Sequence, residues 1–358
     1  MSQAIVGGLG LPGNLTALAL LRQDWDVIAA DPKVVTARTL ARVYTPGDVG
    51  KPKPLALRGQ ASALGRLDQL DARCGRLEDV VGGQEWRNAQ LVLLAADRPS
   101  ATRRVASICM RLATADKPLR LITCHVAEGA AQVRTFAFPA AALPCPLCGS
   151  GDQFLSSVLN EADFSCEQSA TGGDAFTMPY GAVEGYAAAA LALQAIGGPA
   201  GVDTTLALGP SCEAFTSRLR QDPACLLQCA TVAPWPEATA QVADGEALRP
   251  ALTRLARDAG FATGTARVEF LRPMALGTVC GCGRHEAPRV FCSPCPRCQA
   301  PVVALRGWVE ELELADLPEA ATASDLSLPA RDLVLLRGRS QSAPAALLAL
   351  TVACGGEV

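Results

Sequence analysis

Three glycines at positions 8, 10 and 13, then Asp31, Arg42, Asp48-Val49-Gly50-Lys51-Pro52-Lys53 and Asp97, follow one another within the first hundred residues. Each type has a use around a polyphosphate. Glycines let backbone approach a phosphate, and the helix start behind them offers unpaired N–H groups and a partial positive charge. A carboxylate about 20 residues further on is placed to bond a ribose hydroxyl. Cations such as Arg42 and Lys53 suit a triphosphate, and a second carboxylate such as Asp97 suits its magnesium. Hydride transfer to a nicotinamide needs neither. Only four lysines occur in the chain, and Lys51 and Lys53 share one loop, which sets that loop apart from an ordinary solvated charge run.

The elements that must position these residues follow from apolar patterning. Ala4-Ile5-Val6 predicts a strand and Leu15 to Leu21 a helix, so Gly8-Leu9-Gly10-Leu11-Pro12-Gly13 forms the turn between them. Asp26 to Asp31 predicts a second strand ending in its acid. Leu91 to Ala96 predicts a third, ending at Asp97 with Arg98, Arg103 and Arg104 behind it. The expected architecture over residues 1–232 is α/β, a Rossmann-like, mainly parallel sheet with helices on both faces. Ala233-Pro234-Trp235-Pro236 marks a boundary. Residues 237–358 are expected to form a small C-terminal zinc-containing α+β module for partner recognition. It has a helix over 245–259 and strands near Val268 to Leu271, Val302 to Leu305 and Asp332 to Leu336.

Fifteen cysteines read as metal ligands and thiols if the compartment is reducing. Cys145-Pro146-Leu147-Cys148 is one half-site, and Cys225 with Cys229 is its expected complement, four thiolates closing a structural zinc. A second cluster runs from Cys280 to Cys298. A ribbon of Cys280, Cys282, Cys295 and Cys298 is the preferred ligand set, with His285 or Cys292 as replacements for one member. Cys74, Cys109, Cys124, Cys212 and Cys354 are expected to be buried, inert thiols. His125 is expected to be structural. With two histidines in the chain, hydrolases built on a Ser/His or Cys/His pair have little to work with.

Taken in order, these features resemble the ThiF/MoeB/HesA family, the ubiquitin-activating-enzyme-like adenylyltransferases. The family's sequence of glycine loop, acid, arginine, Val-Gly-x-x-Lys element, acid and cysteine half-site matches Gly8/Gly10/Gly13, Asp31, Arg42, Asp48 to Lys53, Asp97 and Cys145/Cys148. Met178 to Gly185 then leads into an alanine-rich helix, and the likeness covers the first 230 residues or so. It implies ATP-dependent adenylation of the C-terminal glycine of a ubiquitin-like or sulfur-carrier protein. ATP would lie over the glycine loop, with Asp31 on the ribose, Arg42 and Lys53 on the phosphates and Asp97 on Mg²⁺. It also implies a homodimer and onward transfer to a conjugating enzyme or sulfur carrier. Cys166, in the loop Asp163 to Gln168 ahead of Thr171-Gly172-Gly173-Asp174, falls where family members carry the thiol that receives the acyl group.

Three departures are visible. Lys33 and Thr39 stand where the family has an acid and an asparagine, and the Cys225/Cys229 half-site is one residue longer than CxxC. The chain also starts almost at its first strand, so the segment carrying a trans-acting arginine in many relatives is expected to be missing.

Composition sets the remaining bounds. At 358 residues and 49% hydrophobic, the chain can bury two cores. No run is long and apolar enough to span a membrane, no secretory signal is read at Met1-Ser2-Gln3, and a cytoplasmic location is expected. A net charge of −3 speaks against non-specific nucleic-acid binding. The contrasting functional class is a non-catalytic scaffold that keeps fold and zinc sites; a nicotinamide-dependent oxidoreductase is a third.

Overall fold

The computed structural model describes residues 2–40, 43–96, 98–139, 143–148, 181–208, 211–225, 227–229, 231–262, 264–286, 288–290, 295, 298, 300, 302–305, 308–338 and, as backbone, 346–352. They form two compact units. One comprises Met1–Glu78 with Asn88–Pro234, the other Asp79–Arg87 with Trp235–Val358.

The first unit is an α/β layer structure on an eight-stranded sheet. Its strands are β1 (Gln3–Gly7), β2 (Asp26–Asp31), β3 (Leu70–Cys74), β4 (Leu91–Leu94), β5 (Leu119–Ala127), β6 (Ala130–Phe138), β7 (Val202–Ala207) and β8 (Glu213–Arg218). The spatial order is β3-β2-β1-β4-β5-β6-β7-β8. From β3 to β5 every pairing is parallel, and from β5 to β8 every pairing is antiparallel. The parallel half is Rossmann-like. Its strand order reverses between β1 and β4, and in open α/β sheets ligands bind at the carboxyl ends of the strands flanking such a reversal.

Parallel strands are covered on both faces and therefore read as continuous apolar runs. Val6, Ala29, Leu93 and Ile122 pack with Ala17 and Leu21 of the helix Leu11–Arg22, Leu57 of the helix Lys53–Ala63 and Ala192 of the helix Ala182–Ile196. Residues of the opposite parity, Ile5, Ile28, Val92 and Leu121, are also buried. The helix Pro99–Leu112 packs on β5 without joining the first cluster, so it belongs to the second face.

Sequence patterning missed β3 and the three strands β6 to β8, while the strand it reads over Leu119 to Cys124 is β5. The run expected as the third strand is the fourth in the chain. β3 lies at the sheet edge with only Leu70 buried, and β8 is exposed along its whole length, so neither shows an apolar periodicity.

The second unit is α+β. It holds β9 (Ala238–Val242), the helix Leu248–Asp258, β10 (Arg267–Ala275), β11 (Thr278–Cys280), β12 (Gly283–His285), β13 (Arg289–Val290), β14 (Val303–Ala304), β15 (Trp308–Glu313), β16 (Asp332–Gly338) and β17 (Ala346–Val352). One sheet runs β13-β10-β16-β17-β9, with β15 also paired to β10; the other is the three-stranded β12-β11-β14. Leu252, Phe270, Val334 and Leu336 centre the core. Inside this unit the Arg272 guanidinium is ion-paired with buried Asp332 and donates to the Val81 carbonyl, while the Gly83 N–H donates to the other Asp332 oxygen at 3.0 Å. A buried charge pair needs such extra hydrogen bonds, because removing either partner strands a charge. Among the described residues no helix is long and apolar enough to cross a membrane.

Candidate functional site

At the carboxyl end of β1 the chain turns through Gly8, whose φ of +84° is a conformation L side chains rarely adopt. A methyl group on Gly13 would lie 1.9 Å from the Gly8 carbonyl oxygen, so the helix and the loop close only because Gly13 lacks one. This closeness fits a phosphate cradle: Gly10 caps the helix Leu11–Arg22 with no side-chain cap, leaving its first turn to the backbone.

Asp31, at the carboxyl end of β2, is buried against this loop. One of its oxygens accepts the Leu9 N–H at 2.6 Å and the other the Lys33 N–H at 2.7 Å. Lys53 Nζ lies 3.6 Å from Asp31 Oδ2, and both side chains are under one-tenth exposed. Backbone pairing brings them together. Val35 N–H bonds the Lys51 carbonyl, Gly50 N–H the Val35 carbonyl and Lys53 N–H the Lys33 carbonyl, which folds residues 50–53 back along 33–35. Lys53 then opens the helix Lys53–Ala63 directly beside the acid. The two lysines of the loop part company here. Lys51 is exposed and pairs with Asp48, whose carboxyl is held below the usual range chiefly by the Thr45 hydroxyl.

The structure thus brings together the glycine loop, Asp31 and Lys53. Arg42 and Asp97 lie outside the described residues, as do Cys166 and Cys292. Three residues that sequence reading passed over also touch this site. Tyr44 O–H donates to the Leu9 carbonyl, Asn14 Nδ2 donates to Gln60 Oε1 at 2.9 Å, and Gln60 Nε2 donates to the Val43 carbonyl at 2.8 Å. Asn14 follows Gly13 directly and is fully buried, and a buried amide inside an otherwise apolar helix face was the signal available.

Cys145, Cys148, Cys225 and Cys229 form one four-sulfur cluster and Cys280, Cys282, Cys295 and Cys298 another, with all Sγ atoms of each within 4.8 Å of one another. In the first, Cys145 is 3.4 Å from Cys225 and Cys148 is 3.5 Å from Cys229. Tetrahedral zinc with bonds of about 2.3 Å needs sulfurs roughly 3.8 Å apart. The donor set therefore fits zinc, and the sulfurs are too distant for disulfides. His285 Nε2 is 3.9 Å from Cys280 Sγ, at the edge of the second cluster.

Burial and hydrogen bonding push the thiols within each cluster in opposite directions. Burial pushes the Cys148 thiol up to about 11 and raises Cys145 further. Burial opposes ionisation of Cys225 as well, but hydrogen bonds from Cys145 and from backbone amides leave it below the usual thiol range. In the second cluster the Ala300 N–H and then Cys282 bring Cys298 down to about 6, and donating to Cys298 raises Cys282 to about 12. Zinc is bound by thiolates, so the raised thiols of Cys145, Cys148 and Cys282 oppose metal binding until their protons leave, while the lowered Cys225 and Cys298 favour it.

The longer half-site closes through Gln228, which takes φ +46°; its N–H bonds the Cys225 carbonyl at 2.8 Å. Gln228→Gly is expected to keep zinc content and melting temperature, whereas Gln228→Val should lower both, since a β-branched residue resists this conformation. Equal melting curves for the two variants would show that the left-handed turn does not matter.

The expectation of buried, inert thiols holds for Cys109 and Cys124 but not for Cys74 and Cys212, which are exposed; Cys354 is outside the described residues. Cys74 ends β3 at the sheet edge, directly across from Asp31, and Cys212 lies just before exposed β8. His125 is half-buried on β5 opposite Gln132, in the wall of a cavity of about 220 Å³ with Thr102, Thr123, Arg134 and Phe136.

No protein-family model matches the chain, and no curated protein does either. Among solved structures it is similar to E. coli MccB with ATP at 15% identity and TM-score 0.48, over 63% of this chain and 66% of that one. A structure of E. coli MccB alone gives 17% identity and TM-score 0.47, over 63% and 64%. PaaA gives 15% identity and TM-score 0.45, over 61% and 73%.

Proposed function

We propose that this chain is an ATP-dependent enzyme that adenylates the C-terminal glycine of a ubiquitin-like or sulfur-carrier protein. The observation that carries the reading is the buried Asp31–Lys53 pair set against a glycine loop at the reversal of the sheet's strand order. A Rossmann-like loop alone serves many nucleotides; an internal lysine beside the ribose acid is suited to a triphosphate.

In this reading Asp31 bonds the ribose hydroxyls, and the free N–H groups of the glycine loop and helix start meet phosphate oxygens. The glycine carboxylate attacks the α-phosphorus, the bond to the β-phosphate oxygen breaks, and pyrophosphate leaves with its charge countered by Lys53 and Arg42. Asp97 would hold Mg²⁺, which neutralises phosphate charge when bound. The product is an acyl-adenylate. The two zinc sites are structural, the second unit recognises a partner, and the enzyme works as a cytoplasmic homodimer.

Calorimetry with MgATP, followed by pyrophosphate exchange with ubiquitin-like proteins ending in glycine, tests this. Absence of ATP binding overturns it in favour of a scaffold, and tight NADH binding would favour an oxidoreductase.

Cys166 is proposed to take the acyl group from the adenylate, forming a thioester and releasing AMP. Cys166→Ala is then expected to leave pyrophosphate exchange nearly intact and to abolish a thiol-sensitive adduct with the substrate protein. An adduct that survives the substitution places the acceptor on another thiol.

A further inference from the structure

We infer that Tyr44 is a positioning residue that aims the Gly10 N–H at the nucleotide's phosphates, an inference that rests on the adenylation reading and adds a residue to it.

The glycine loop contains two consecutive peptide planes whose orientation matters, and each is set by one side chain from elsewhere. In a planar trans peptide the C=O and the following N–H point in opposite directions. Asp31 accepts the Leu9 N–H, so the Gly8 carbonyl of the same plane points away from Asp31. It faces Gly13, where the lack of a side chain makes room for it. The next plane joins Leu9 to Gly10. Buried Tyr44 donates its hydroxyl to the Leu9 carbonyl, so the Gly10 N–H of that plane is turned the other way.

Gly10 is the residue that caps the helix Leu11–Arg22, and its N–H has no partner among the described residues. Leu9 N–H is already used by Asp31, and Pro12 has none to give. Gly10 is therefore among the few donors the loop retains for an anion, and a reversal of its plane would present a carbonyl to the phosphates instead. Carbonyl and phosphate oxygens repel, so holding this plane favours the charged ligand specifically.

Tyr44 is itself held. Gln60 Nε2 bonds the carbonyl of the preceding Val43, and Gln60 Oε1 accepts Asn14 from the glycine-loop helix. The segment that follows Arg42 is thus clamped to the loop at two points. A hydroxyl at position 44 has no sequence signature, because an aromatic residue there serves a buried site equally well by its ring.

Tyr44→Phe keeps the ring and removes only the O–H. Calorimetry on the full chain with MgATP and with adenosine, together with hydrogen exchange of the Gly10 amide, tests the inference. The expected result is roughly tenfold weaker MgATP binding, unchanged adenosine binding and, at saturating MgATP, faster Gly10 exchange than in the wild type. Equal loss for both ligands would make Tyr44 a packing residue, and equal MgATP affinity in variant and wild type would overturn the inference while leaving adenylation standing. A wild type that binds no MgATP overturns both.

Discussion

Lys53→Ala will slow ATP-dependent pyrophosphate exchange by roughly 100-fold or more, the scale on which one preorganised charge contact to a developing transition state acts. The physical argument begins with burial. An ammonium group under one-tenth exposed loses most of its hydration, and the compensation found in this structure is Asp31 at 3.6 Å. A ligand bringing phosphate oxygens to this spot meets a cation in low-dielectric surroundings, where its charge counts for more than in water. The same substitution leaves Asp31 without its counter-charge, which costs on the order of 3 kcal/mol of folding stability. Exchange must therefore be measured well below the variant's melting temperature. Asp97→Ala is expected to show a comparable loss without the Asp31 penalty. Exchange within a few-fold of wild type for folded Lys53→Ala would remove Lys53 from the chemistry.

Elemental analysis will find two zinc ions per chain, one lost in Cys145→Ser and the other in Cys298→Ser. The losses should be independent, because the two clusters belong to separate compact units. Structural zinc contributes binding energy on the order of 10 kcal/mol directly to folding, so chelation should lower the melting temperature markedly. The first cluster should be the more damaging to lose. Its cysteines are almost fully buried and join segments 80 residues apart, whereas Cys280, Cys282 and Cys298 of the second are at least partly exposed. One zinc per chain, or both lost together on a single substitution, would refute the two-site assignment.

Several features needed only the sequence. Apolar runs bounded by Gly8 and Asp31 specify a strand, a glycine turn, a helix and a second strand, because local hydrogen bonding and side-chain burial are enough to form them. The two cysteine clusters were equally legible, since thiolate spacing of two to four residues reflects the size of one tetrahedral ion and little else. Contacts decided the rest. That Lys53 rather than Lys51 lies against Asp31 depends on residues 50–53 folding back along 33–35, a backbone pairing that leaves no mark on composition. The Tyr44 hydroxyl bond to Leu9 spans 35 residues, and exposed β8 has no apolar pattern to read. The longer cysteine half-site closes because Gln228 adopts a left-handed conformation that its residue type does not announce. Sequence records the periodicities and spacings that neighbours along the chain enforce; which distant groups meet is settled only when the sheet order and packing bring them within hydrogen-bonding range.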